Sequence, residues 1–185
     1  MKRTFIAVPL EASPALKRLL AFLQEKLKRE GIKWVETNNL HITLKFLGDT
    51  PENLIGRISE KLEELSSGFI KQDGQMKGLD TFTRRGNPSV LYTCLTGLPV
   101  LEMMASAIDR EMIPFGFSSG EASFNAHLTL ARIKYLNSRS RFLELIGSLR
   151  EKEIQEVTID KIVLFESILR PQGPLYKPLK TILLG

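Results

Sequence analysis

The pattern His, branched apolar residue, Thr, Leu occurs twice, at His41-Ile42-Thr43-Leu44 and at His127-Leu128-Thr129-Leu130, and the two segments hold the only two histidines of the chain. At ordinary residue frequencies a given histidine meets this pattern about once in a thousand times. Two matches from two histidines therefore indicate duplication. Side chains at i and i+2 of a strand share a face, so each His is expected beside its Thr, with the intervening apolar residues packed behind. The pattern reads as two equivalent half-sites, each offering an imidazole and a hydroxyl.

The flanking sequence repeats with the motif. Thr4 to Val8 reads as a strand stopped by Pro9. Ser13 and Pro14 read as an N-cap with Pro at N1, and Leu16, Leu19, Leu20, Leu23 and Leu27 recur at helical spacing until Gly31 closes the helix. Ile32 to Val35 is short and extended, its Trp34 expected under or beside the first motif. Asn39 to Leu47 is the first motif strand, with His41, Thr43 and Lys45 on one face and Ile42, Leu44 and Phe46 on the other. Thr50 and Pro51 are expected to start a second helix, followed by a strand over Phe69 to Phe82 interrupted at Gly74 and Gly78. After the basic loop Arg84-Arg85-Gly86-Asn87-Pro88, Ser89 to Thr96 is a strand, Leu98 to Ile113 a helix, and Phe124 to Ile133 the second motif strand. Asn137 and Ser138 cap a helix over Arg139 to Arg150, and Val157 to Phe165 is one strong strand. Arg170 to Pro174 is a turn, and the final strand over 175–184 pairs back as a hairpin.

Strand, helix, motif strand, helix, strand thus covers residues 4–82 and again 89–165. The expected fold class is α+β, a single bilobal domain over residues 1–185. It is built from duplicated β-α-β-α-β units with pseudo-twofold symmetry, the motif strands facing across a groove and the amphipathic helices outside.

Composition narrows the setting. Hydrophobic residues make up 43% and charged residues 25% of the chain, as in ordinary globular proteins. The net charge of +5 favours a polyanionic partner such as nucleic acid. The single Cys94 cannot form an intrachain disulfide and lies in an apolar run, which suggests a buried, reduced thiol and a cytoplasmic protein. The apolar run from Phe5 ends at Pro9, too short for a secretory signal, and no stretch has the length of a membrane span.

Two facing imidazoles suit concerted acid–base chemistry. With ordinary pKa values near 6.5, one can be neutral and the other protonated at neutral pH. The neutral ring takes a proton from water or an alcohol while the cation protonates a leaving oxygen. Two Thr hydroxyls and a basic groove add donors for an anion, and a phosphodiester fits best. Two His alone leave a tetrahedral metal site incomplete, and no Asp, Glu or Cys recurs with the motif. Gly-x-Ser-x-Gly, the P-loop and Gly-x-Gly-x-x-Gly are all missing from the sequence. The bland alternative is a pair of half-buried strand histidines bonded to Thr, which the repetition of the pattern disfavours.

The segments Asn39-Leu40-His41-Ile42-Thr43-Leu44-Lys45-Phe46-Leu47-Gly48 and His127-Leu128-Thr129-Leu130-Ala131-Arg132 closely resemble the two signature strands of the 2H phosphoesterase superfamily. Phe5-Ile6-Ala7-Val8-Pro9-Leu10, Trp34, Glu166-Ser167 and Gly173-Pro174-Leu175-Tyr176 resemble its RNA 2′,3′-cyclic phosphodiesterase branch, also called the 2′-5′ RNA ligase family, so that the likeness spans essentially the whole chain. One departure is Asn125-Ala126, where members usually carry Pro just before the second His. The resemblance implies two antiparallel sheets lining a central cleft, no metal and no cofactor, and hydrolysis of RNA-terminal 2′,3′-cyclic phosphodiesters to 2′-phosphomonoesters. It implies His41 as proton donor, His127 as proton acceptor, and Thr43 and Thr129 as donors to phosphate oxygens. Arg132 is similar to a phosphate-contacting arginine, or is a solvated strand-end charge. Phe82 stands where the family often stacks the terminal base, or is a core residue. Arg84 and Arg85 follow the RNA backbone or stay solvated. The implied partner is RNA with 2′,3′-cyclic phosphate ends, tRNA fragments among them, bound by a monomer away from membranes. Two other functions use the same residues: a reversible 2′-5′ RNA ligase acting on tRNA halves, and an RNA-end-binding module with little turnover.

Overall fold

The computed structural model describes residues 1–120, 124–171 and 173–185. In chain order these form β1 (Lys2–Pro9), α1 (Pro14–Lys26), β2 (Gly31–Trp34), β3 (His41–Thr50), α2 (Glu52–Ser66), β4 (Gln72–Arg84), β5 (Asn87–Thr96), α3 (Pro99–Met112), β6 (His127–Tyr135), α4 (Arg139–Ser148), β7 (Glu153–Ile159), β8 (Lys161–Ile168) and β9 (Leu175–Leu183). None of these helices is long and apolar enough to cross a membrane.

Two antiparallel sheets result, in the orders β3-β1-β8-β9 and β2-β6-β5-β4-β7. Apart from the added edge strand β2, the orders superpose strand for strand under the pseudo-twofold relation of β1 to β5 and β3 to β6. The superposition also shows how the halves are joined. β4, the last strand of the first unit, pairs with β5 of the second, while β8 crosses back to pair with β1. The helices cross as well: α2 and α3 pack on the first sheet, α1 and α4 on the second. One apolar core runs through both, from Leu16 and Leu23 of α1 to Met104 and Ile108 of α3 and Phe142 of α4. Each such fully buried side chain contributes about 2 kcal/mol of transfer free energy.

Several expected boundaries shift for local reasons. α1 ends before Gly31, with Leu27 as its cap, and Gly31 instead opens β2. Trp34 lies opposite Ala131, so its backbone pairs with the second motif strand. β3 begins at His41 because Thr37–Asn39 form a 3-10 turn, and it runs to Thr50. Thr50 caps nothing: its hydroxyl is 2.7 Å from that of Thr4 in a buried pair, and Pro51 takes the N-cap position. The strand expected over 157–165 is two strands that turn at Asp160 into different sheets. Continuous apolar character conceals such a break, because both strands bury one face. The expected basic loop is a two-residue hairpin turn of Arg85 and Gly86, both at positive φ, as the twist of paired strands favours. Gly78 makes the expected bulge in β4, at φ +73°, where a Cβ would lie 2.1 Å from the Arg150 carbonyl oxygen. The turn expected over 170–174 includes Gln172, which lies outside the described residues.

The motif strands carry matching bulges. In β3, Thr43 pairs with Ala7 and Lys45 with Ile6, leaving Leu44 as the extra residue. In β6, Thr129 pairs with Tyr92 and Ala131 with Leu91, leaving Leu130. An extra residue reverses the alternation beyond it. The face assignment for Lys45 and Phe46 is therefore inverted relative to a regular strand. Phe46 joins His41 on the open face, whereas Lys45 turns toward the helices and is buried.

Lys45 Nζ donates to Asp109 Oδ1 of α3 at 2.5 Å and to the Ser118 carbonyl at 2.8 Å, and Ser119 Oγ and the Gly120 N–H also donate to the Asp109 carboxylate. With Lys45 only 7% exposed and Asp109 28%, these bonds hold the Asp109 carboxyl down to about 2. The shift is downward, so the unfolded chain binds this proton more tightly. The stabilisation is complete above the ordinary Asp value and is lost as pH falls from 3.8 toward about 2. We expect Asp109→Ala, which strands a buried ammonium, to lower unfolding free energy by roughly 3 kcal/mol at neutral pH, with the deficit shrinking as acid removes the pair from the wild type. An unchanged denaturation midpoint would show that this pair contributes nothing.

Candidate active site

Each histidine opens its motif strand, and the segment just before it fixes the ring. His41 Nδ1 donates to the Asn39 carbonyl at 2.6 Å, and His127 Nδ1 donates to the Asn125 carbonyl at 2.7 Å. A carbonyl can only accept, so the neutral rings carry their proton on Nδ1, leaving the Nε2 lone pair for chemistry. The bond is the same with Leu40 or Ala126 in between, so the missing Pro before His127 does not disturb it. Asn39 is itself tied down, its Nδ2 donating to the Pro174 carbonyl at 3.0 Å.

Aromatic rings wall each imidazole. His41 has Phe5 at 5.0 Å and Tyr176 edge-on at 5.1 Å. His127 has Phe82 edge-on at 4.8 Å and Tyr92 at 5.4 Å, with Phe82 and Tyr92 stacked on each other at 4.2 Å. Phe5, Tyr92 and Tyr176 have no signal in the sequence that marks them as site residues; only strand pairing brings them there. Thr43 and Thr129 are half-buried on the same faces as their histidines.

Electrostatics connects the half-sites across the cleft. Burial lowers the pKa of His41, the hydrogen bond to the Asn39 carbonyl opposes this, and the positive charges of His127 and Arg132 lower it further. Arg132 also acts on Tyr176, whose phenol is raised chiefly by burial. The motif strands β3 and β6 also touch each other, so the second half-site faces the first. The side of the sheet that Arg132 takes is a product of the Leu130 bulge, since five residues after His127 a regular strand would face the other way.

Arg84 and Arg85 lie beyond Phe82 on the same hairpin. Both are exposed at the tip of the β4–β5 hairpin, Arg84 ending the strand and Arg85 forming the turn. Cys94 is half-buried instead of fully buried, and it lies opposite His127 in the β5–β6 register. Burial and the negative charge of Asp80 push its thiol up, which keeps it protonated and disfavours a nucleophilic role. Among the described residues, no three His, Cys, Asp or Glu side chains come together as a metal-binding group.

The family described as LigT like Phosphoesterase matches the chain over residues 6–92 and 99–176. The RNA 2′,3′-cyclic phosphodiesterase of Thermotoga maritima is 32% identical over 179 residues, covering 96% of this chain and 92% of that protein. The protein of the same name from Archaeoglobus fulgidus is 31% identical over 178 residues, covering 96% and 98%. Among solved structures, TT0787 of Thermus thermophilus shares the fold with a TM-score of 0.79 at 24% identity, covering 98% and 97% of the two chains. E. coli LigT complexed with 3′-AMP does so with a TM-score of 0.73 at 19% identity, covering 99% and 98%.

Since Arg132 depresses His41 from the opposite sheet, Arg132→Gln is expected to raise the His41 titration midpoint, followed by NMR of the imidazole protons. Inorganic phosphate bound between the half-sites is expected to raise it in the wild type. A midpoint unmoved by both changes would contradict the convergence of the two sheets on one site.

Proposed function

The chain belongs to the LigT-like phosphoesterase family, and on that premise we propose that it hydrolyses RNA-terminal 2′,3′-cyclic phosphodiesters to 2′-phosphomonoesters, using His41 and His127 as acid and base and no metal ion. The observation that carries this reading is the pair of imidazoles on opposite sheets, each fixed through Nδ1 and close enough that His127 and Arg132 act on His41. The name shared by the Thermotoga and Archaeoglobus relatives supports the substrate class.

In the proposed cycle, neutral His127 removes a proton from water through Nε2 as the water oxygen bonds to phosphorus. The bond from phosphorus to O3′ breaks, and protonated His41 gives its Nε2 proton to that oxygen. The product keeps the phosphate on O2′, and both rings reset by proton exchange with solvent. Thr43, Thr129 and Arg132 bind the non-bridging oxygens, where negative charge grows as water adds. The Asn39 carbonyl stabilises the imidazolium of His41, and the substrate anion offsets the Arg132 cation that disfavours it. His41 therefore holds its proton less readily in the free protein and more readily with substrate bound.

The test is product analysis with a 2′,3′-cyclic-phosphate-ended oligonucleotide, with and without EDTA. A 2′-phosphate product insensitive to EDTA is expected, and His41→Ala and His127→Ala should each lower kcat by roughly 100- to 10,000-fold. A 3′-phosphate product overturns the assignment of His41 as acid, and full activity in either variant overturns the two-histidine mechanism. The alkaline limb of the pH profile should lie higher for kcat than for kcat/KM, because the substrate anion raises the His41 pKa. The opposite order would place the acid elsewhere.

A further inference from the structure

Phe46 takes no part in the chemistry above and none in the core. It is 69% exposed, more than Tyr135 at 61% or Phe22 at 42%. Its neighbours in β3, Lys45 and Leu47, are both buried, so the exposure belongs to this one side chain. The bulge at Leu44 turns it to the open face, where it pairs with Phe5 across the strands. The Phe46 and Phe5 rings are 6.0 Å apart and inclined at 41°, a contact that leaves Phe46 unstacked, while Phe5 is 5.0 Å from His41. An exposed aromatic ring is thus held one residue away from an imidazole that the proposed reaction uses.

The pseudo-twofold relation identifies its counterpart. Phe46 and Arg132 each follow their motif His by five residues, and each is the first open-face residue beyond the bulge. One half-site presents a cation at this position, and the other presents a ring. A cation suits the phosphate. A flat apolar surface suits a base, and base–aromatic stacking tolerates any sequence because every base has a π face.

We propose that Phe46 is the stacking platform for the base of the nucleotide immediately 5′ of the cyclic-phosphate terminus, so that the cleft reads two nucleotides of an RNA end. This rests on the reading of the cleft as a cyclic phosphodiester site. With the phosphate between the histidines, the terminal base has the Phe82 and Tyr92 rings on the sheet of His127. Phe46 stands on the other sheet and is left for the next base along the strand. The selectivity that results is for length rather than sequence.

The experiment compares a 2′,3′-cyclic mononucleotide with oligonucleotides bearing the same cyclic end, one of them abasic at the penultimate position. Phe46→Ala is expected to raise KM for the intact oligonucleotide roughly 5- to 100-fold, leaving kcat and the mononucleotide constants unchanged. Phe46→Trp should restore the lost affinity. The wild type should lose a similar factor on the abasic substrate, on which Phe46→Ala should have no further effect. Wild-type turnover of both intact substrates with no loss in Phe46→Ala, or with equal loss on both, overturns the platform and leaves the proposed chemistry standing. No turnover of any cyclic phosphate by the wild type overturns that chemistry and the platform with it.

Discussion

Two strand pairings, β8 on β1 and β4 on β5, hold the half-sites in place. Each brings a strand of one unit into the sheet of the other, so neither sheet is complete without both halves of the chain. The helix that follows β1 covers the second sheet, and the helix that follows β5 covers the first. Two sheets that share exchanged strands and helices and a common core cannot slide freely past each other, since interiors are close-packed and resist deformation. The proposed catalysis between groups on opposite walls requires this. An imidazole displaced by one ångström can lose much of the advantage of proximity.

Within that frame, polar character is set by small departures from regular strand geometry. Leu44 and Leu130 each add one residue, and the parity of the residues beyond them is reversed. Lys45 is thereby taken from the cleft and committed to Asp109, where it tethers the Ser118–Gly120 segment ahead of the second motif. Arg132 and Phe46 are delivered to the open face instead. The shared bulge preserves the symmetry of the backbone, and the choice of side chain at the position after it breaks that symmetry. A duplicated scaffold gains direction in this way, with one wall more cationic and the other more aromatic.

What could be read from residues alone depends on the range of the interactions involved. His41-x-Thr43 and His127-x-Thr129 are local, and their recurrence carries both the duplication and the proposed chemistry. The helices were equally legible, since Leu16, Leu19, Leu20 and Leu23 mark a face at helical spacing. The bulges are not legible, because a Leu that adds a residue looks like a Leu that does not, and regular alternation puts Phe46 on the face opposite to the one it occupies. The exchange of β8 also left no mark: Val157 to Phe165 is one apolar run whether or not the chain turns at Asp160. Phe5, Tyr92 and Tyr176 became recognisable only when pairing set them against the histidines.

The strand exchange bears on the order in which a nascent chain can assemble. By residue 159 every strand of the sheet β2-β6-β5-β4-β7 has been made, and that sheet, with His127, can close. The other sheet cannot. β1 leaves the ribosome ahead of the other strands of both sheets, yet one of its edges stays unpaired until residues 161–168 supply β8. Such widely separated pairings are slow to form, and an open edge is a template for foreign strands. The wall bearing His41 is therefore finished after the wall bearing His127, and the two-histidine site waits for the synthesis of β8.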